Sequence, residues 1–345
     1  KKGCGRMIDI AHAKQEFEKY LDEYDREDEQ ICLKIVHTYG VVKYAGEIAR
    51  KMECSGEDVE LAELMIGRKG ESMVQAAPRT PPQDRVAMSI RDLHVDMPGE
   101  EVRGVSLEVY EGEILGIGGL AGQGKLGIPN GVMSLYDTRG SVTLFGEELK
   151  LGNAGDALRA GIAMVSEDRK GVGLLLDQSI EDNIVFNAMQ IKGEYLHRLG
   201  LFTLKNSSAV RKTAERMIHD LDIRCFGPMQ HTGTLSGGNQ QKVCIARALV
   251  MGPRFLFVSE PTRGIDIGAK KLVLETLVRL NREQGMTIVI VSSELQELKS
   301  ISDRIAIISE GRLVDILSPD ASDADFGLAM SGIKPDDQLE KGDGA

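Results

Sequence analysis

Leu235-Ser236-Gly237-Gly238-Asn239-Gln240-Gln241-Lys242-Val243 runs directly into Cys244-Ile245-Ala246-Arg247-Ala248-Leu249-Val250, which reads as an amphipathic helix. Two glycines after a serine at a helix start leave backbone N–H groups without intrahelical acceptors and set a hydroxyl beside them. The helix dipole makes such a start attractive to an anion. The same residues also fit a plain turn closed by an N-cap serine, so the chain on either side has to decide.

Downstream, Arg254-Phe255-Leu256-Phe257-Val258 is a short apolar run suited to a buried parallel strand, and it delivers Ser259 and Glu260. Upstream, Glu113-Ile114-Leu115-Gly116-Ile117 reads as a strand leading into Gly118-Gly119-Leu120-Ala121-Gly122-Gln123-Gly124-Lys125-Leu126. From Gly119 to Lys125 the spacing is G-x-x-x-x-G-K, a loop whose amides surround phosphates while the lysine neutralises their charge. Leu126 stands where a magnesium-binding hydroxyl is expected, and Pro129 falls about one turn into the helix that should follow.

The nine-residue string resembles the signature motif of ATP-binding cassette (ABC) ATPases, in the form typical of those that drive sugar importers. Phe255 to Asp266 resembles the same family's Walker B strand, catalytic glutamate and D-loop. The resemblance covers roughly residues 86–333, and "EPTRGIDIGAK" resembles the second of two ATPase halves carried in one chain. It implies an α/β, P-loop ABC-type nucleotide-binding domain with an antiparallel β subdomain and a helical subdomain. By that resemblance Gly119, Gly122, Gln123, Gly124, Lys125 and Leu126 form the ATP phosphate loop, and Leu235, Ser236, Gly237, Gly238, Asn239 and Gln240 the signature. Glu260 is the catalytic carboxylate, Glu167 takes the Q-loop position usually held by glutamine, and Asp266 lies in the D-loop. Ser259 replaces the Walker B aspartate and Ser293 the switch histidine, so three positions that support hydrolysis, Leu126 included, are altered.

The implied ligands are ATP and Mg²⁺. The implied partners are membrane permease subunits, a second ATPase half or a copy of the chain, and, indirectly, a periplasmic or extracellular sugar-binding protein. ABC ATPases work as a sandwich in which each phosphate loop faces the other half's signature. The expected activity is therefore ATP-driven import of a simple sugar from the cytoplasmic face of the membrane, with this half's own hydrolytic site impaired. Around Val95-Asp96-Met97 no aromatic residue is present to stack on adenine.

The 345 residues carry a net charge of −11, which argues against a nucleic-acid surface. Cys4, Cys32, Cys54, Cys225 and Cys244 show no C-x-x-C spacing, and His197, His219 and His231 have no ligand spacing, so no metal site is assigned. No apolar run approaches the ~18–20 residues of a membrane span. The chain begins at Lys1, which suggests a fragment or a processed start.

Residues 1–65 read as a small all-α segment with dense charge between Phe17, Tyr20, Leu21, Ile31, Ile35 and Val36. It resembles the first helices of HD-type phosphohydrolases, with His37 at that family's first metal ligand. The His-Asp pair that family needs is missing, since the chain reads Met65-Ile66-Gly67-Arg68-Lys69-Gly70 there. Residues 66–85 form a proline-rich linker, and 334–345 a charged tail expected to be disordered. Residues 141–165 are expected to give two strands and a short helix, and 172–232 helices with caps at Ser179 and Ser207–Ser208. The alternatives are a soluble ABC ATPase outside transport, or an inactive remnant of a metal-dependent HD phosphohydrolase.

Overall fold

The computed structural model describes residues 85–199 and 202–334. The chain divides into two units, 1–71 and 72–345. The helices expected over 1–65 with His37, the linker up to residue 84 and the tail beyond 334 lie outside the described residues.

A six-stranded sheet forms the centre of the second unit. Strands β3 (Ile114–Gly118), β6 (Ile162–Val165), β9 (Phe255–Ser259), β10 (Thr287–Val291), β11 (Arg304–Ser309) and β12 (Arg312–Leu317) lie in the order β12-β11-β3-β10-β9-β6. All neighbours pair in parallel except β12, which returns antiparallel on β11 through Glu310-Gly311, as the turn residues imply. A second, antiparallel sheet has the order β2-β1-β4-β5, from β1 (Val86–Val95), β2 (Val102–Tyr110), β4 (Thr138–Leu144) and β5 (Glu147–Glu148).

The period-2 alternation of the parallel strands sorts their side chains between two cores. Phe255 and Phe257 of β9, Val289 and Val291 of β10, and Ile308 of β11 pack with Met88, Ile90, Val105 and Val142 of the antiparallel sheet. Leu256, Val258, Ile288, Ile290, Ile305 and Ile307 face the other way, into a core built with helices. Those helices include α3 (Ile180–Lys192), α4 (Ser207–Asp220), α5 (Gly237–Leu249), α6 (Ile267–Gln284) and α7 (Leu295–Ile301). Two shorter ones, α1 (Gly127–Val132) and α2 (Ala154–Arg159), precede them, and α8 (Asp323–Met330) closes the described chain. Each of these fully buried side chains contributes about 1.5–3 kcal/mol, so both faces of the sheet are firmly fixed.

Three local expectations are corrected. Residues 141–165 contain a third strand, the two-residue β5. Between α3 and α4 the chain forms a hairpin, β7 (Leu196–Leu199) and β8 (Phe202–Lys205), rather than more helix. Gly193 stops α3 by taking the left-handed conformation at φ 68°, and short apolar segments follow. The cap of α4 is Asn206, whose carboxamide accepts from the Ala209 amide at 3.0 Å, and not Ser207 or Ser208. Ser179 does cap α3, accepting from the Asp182 amide at 3.1 Å.

Candidate functional site

In an open parallel sheet the carboxyl ends of the strands gather loops at one edge, and ligands bind there. Three of the candidate residues meet at this edge. β3 runs out into the glycine loop, β9 into Glu260 and β10 into Ser293. The Ser293 hydroxyl donates to Glu260 Oε1 at 2.6 Å, and Lys125 Nζ lies 4.0 Å from the same oxygen. Glu260 sits at φ 45°, a conformation that costs a non-glycine residue about 1–2 kcal/mol and re-aims its side chain at the loop. Its amide is held by the Val291 carbonyl at 2.7 Å. Glu167, just beyond β6, lines one cleft with Glu260, Arg169, Gln241 and Arg263.

The glycine loop is drawn tightly against the chain around it. A Cβ at Gly119 would lie 2.3 Å from the Ile308 carbonyl oxygen, and one at Gly124 would lie 2.4 Å from that of Glu101. Gln123 is tied to the β11–β12 turn, its side-chain oxygen accepting from the Glu310 amide at 2.7 Å and its carbonyl from Gly311 at 2.9 Å. Lys125 is 1 % exposed and donates to the Leu120 carbonyl at 3.2 Å. Leu126 packs against the core shared with the antiparallel sheet.

The residues at the magnesium positions do not fit that ion. Leu126 offers no oxygen from its side chain, and Ser259 is a fully buried neutral hydroxyl whose Oγ has no hydrogen-bond partner among the described residues. No group of three or more His, Cys, Asp or Glu that could hold a metal occurs among the described residues.

The signature lies on a different surface. Ser236, Gly238 and Asn239 line an open concavity with Arg224, Lys242, Asp266 and Ala269, and no residue of the glycine loop lines it. Ser236 is the exposed N-cap of α5, but its hydroxyl makes no capping bond; it accepts from Asn239 Nδ2 at 3.0 Å instead. The first-turn amides of α5 therefore keep their outward hydrogen-bonding capacity. Asp266 caps α6 by accepting from the Ala269 amide at 2.9 Å. Leu235 is buried, and buried Gln240 accepts from Arg169 Nε at 3.2 Å, so these two hold the motif in place from beneath. Burial lowers the Lys242 ammonium from its ordinary value against the pull of Asp222. Cys244 is buried as its helical pattern implied, and desolvation pushes its thiol up to about 12.

Two groups of site residues escaped the sequence reading. Glu297, with no exposed surface, accepts from the hydroxyls of Thr262 and Ser292, the latter at 2.8 Å, and from Lys270 Nζ at 3.2 Å. Lys270 also binds Glu294, so the network joins the segment after β9 and the first turn of α6 to the segment after β10. Glu100 is the other, its carboxylate set on the glycine loop. Neither has a motif of its own; a Glu three residues after Glu294 and a Pro-Gly turn before Glu100 were the only local signals.

The fold and this arrangement define a P-loop ATP-binding cassette. Residues 102–263 match the family model described as ABC transporter, and this stretch of the chain belongs to that family. It is 38% identical over 290 residues to the ribose import ATP-binding protein RbsA 2 of Rhizobium meliloti, covering 84% of this chain and 54% of that protein. It is 35% identical over 256 residues to the xylose import ATP-binding protein XylG of Thermoanaerobacter pseudethanolicus, covering 72% of this chain and 49% of that protein. The chain thus spans about half the length of the curated relatives it matches. Among solved structures, a dimeric ATP-binding cassette in a post-hydrolysis state with ADP and Pi matches with a TM-score of 0.56. It covers 68% of this chain and 100% of its own at 21% identity, a likeness of fold.

Proposed function

We propose that this chain is an ATP-binding subunit energising the import of a simple sugar, and that residues 86–333 form its cassette. Its part in the ATP cycle is to present Ser236 and the amides of Gly237 and Gly238 to nucleotide held on a partner cassette's loop. The partner is a second ATPase half; pairing with another copy of the chain is the alternative that the hydrolysis measurement below separates. The observation that carries this reading is the separation of the two surfaces. The concavity at the start of α5 is open, whereas at the chain's own loop edge Leu126 and the buried Ser259 stand where a hydroxyl and a carboxylate would hold magnesium. The ribose and xylose import functions named for its relatives support the substrate class.

In a closed pair the start of α5 would add hydrogen-bond donors and a dipole to the partner's terminal phosphate, where charge develops during phosphoryl transfer. Glu260, held by Ser293, would stay beside this chain's own impaired loop. Permease subunits supply the membrane attachment, at the cytoplasmic face. Among the described residues no helix is long and apolar enough to cross a membrane. The sugar-binding protein would act through the permease.

ATP hydrolysis by the purified chain with Mg²⁺, measured beside Glu260→Gln, tests this division of labour. The expected result is no hydrolysis by either protein. Turnover by the parent chain that Glu260→Gln abolishes would show that two copies make a working sandwich and would overturn the impaired-site reading.

A further inference from the structure

The phosphate loop already holds an anion. Glu100, 8 % exposed, places one carboxylate oxygen 2.9 Å from the Gly122 amide and the other 2.9 Å from Gly124 and 3.1 Å from Leu126. These are amides of the loop that G-x-x-x-x-G-K spacing devotes to phosphate. The carboxylate is delivered by a tight turn, Met97-Pro98-Gly99-Glu100. The Glu100 amide donates to the Met97 carbonyl at 3.0 Å, and Gly99 takes φ 77°. Proline then glycine at the central positions is the chemistry of a type II turn, so the approach of Glu100 is built into the backbone. The main chain follows the side chain down, since a Cβ at Gly127 would lie 2.2 Å from the Glu100 carbonyl oxygen.

The loop's other positive group is balanced internally as well, because Lys125 Nζ faces Glu260 Oε1 at 4.0 Å and the Leu120 carbonyl at 3.2 Å. Amides and ammonium are thus both satisfied by the chain itself.

We propose that Glu100 is a tethered substitute for nucleotide phosphate, so that ATP enters this loop only by displacing it. Three charge-assisted bonds to one carboxylate, offered at the high effective concentration of an intramolecular group, oppose a ligand arriving from solution. The proposal deepens the reading of the chain as a signature donor, since it supplies a physical reason for its own loop to stand aside. It is nonetheless tested separately: binding to this loop is read on the chain alone, whereas donation is read in a partner's hydrolysis.

The test is equilibrium binding of radiolabelled ATP to the full chain, to Glu100→Gln, to Glu100→Ala and to Glu100→Ala/Lys125→Ala. Glu100→Gln keeps one side-chain acceptor for the loop amides while losing the charge, and the turn, closed by the backbone, is untouched in both variants, so the glutamine variant retains the fold if the alanine variant does not. Both single variants are expected to bind ATP about tenfold tighter or more than the parent chain, and the added Lys125→Ala to reverse the gain. Affinity unchanged in a folded Glu100 variant, or a gain indifferent to Lys125, would overturn the proposal.

Discussion

Glu297 shows what a single buried carboxylate does at this site. It shares the Lys270 ammonium with Glu294 and accepts two hydroxyl hydrogen bonds, yet burial dominates and raises its pKa above the ordinary 4.5. A carboxyl that holds its proton more tightly when folded binds more protons in the folded than in the unfolded state across the interval between the two values. Its contribution is therefore favourable below the ordinary value and is lost as pH rises through the raised one. Glu297→Gln is expected to flatten that part of the stability profile, read as urea midpoints from about pH 4 to pH 7. The same slope in both proteins would remove Glu297 as its source. This residue and Glu100 were illegible in sequence because their roles rest on contacts between distant segments, 35 residues apart for Glu297 and Thr262. Lys125 and Glu260 were legible because fixed spacing after an apolar strand is itself the signal.

At the level of elements, the glycines at the start of α5 carry packing. A Cβ at Gly238 would lie 2.5 Å from Ala269 Cβ, so the starts of α5 and α6 approach as closely as they do only without a side chain there. Gly238→Ala is expected to force the two helices apart and lower stability by about 1–3 kcal/mol in chemical denaturation. A change below about 0.5 kcal/mol would mean that α6 yields freely at that point. At Gly237 a Cβ would lie 3.1 Å from Ile265 Cγ2 and 3.2 Å from the Gly264 carbonyl oxygen, a looser fit than at Gly238. The strands could be read from short apolar runs, α3 from its cap at Ser179 and α5 from the amphipathic run after Gly238. The β7–β8 hairpin could not, because segments of four residues carry too little pattern to separate strand from helix.

For the whole molecule, one geometric fact organises the rest: the concavity at the start of α5 is lined by no residue of the glycine loop. At the loop edge Leu126 and the buried, unpartnered Ser259 stand where the family resemblance places magnesium ligands, and Glu100 accepts from three loop amides; the start of α5 keeps an exposed Ser236 that makes no capping bond. The family resemblance singled out Leu126, Ser259 and Ser293 in the sequence, but the separation of the α5 concavity from the glycine loop is a property of the fold. The most direct measurement is ATP hydrolysis by a mixture of this chain with a cassette that retains the loop hydroxyl and the Walker B aspartate. The chain is expected to stimulate that partner, Ser236→Arg to abolish the stimulation by obstructing the start of α5, and Glu260→Gln to leave it intact. Stimulation that survives Ser236→Arg and disappears with Glu260→Gln would place the working site on this chain's own loop and reverse the assignment.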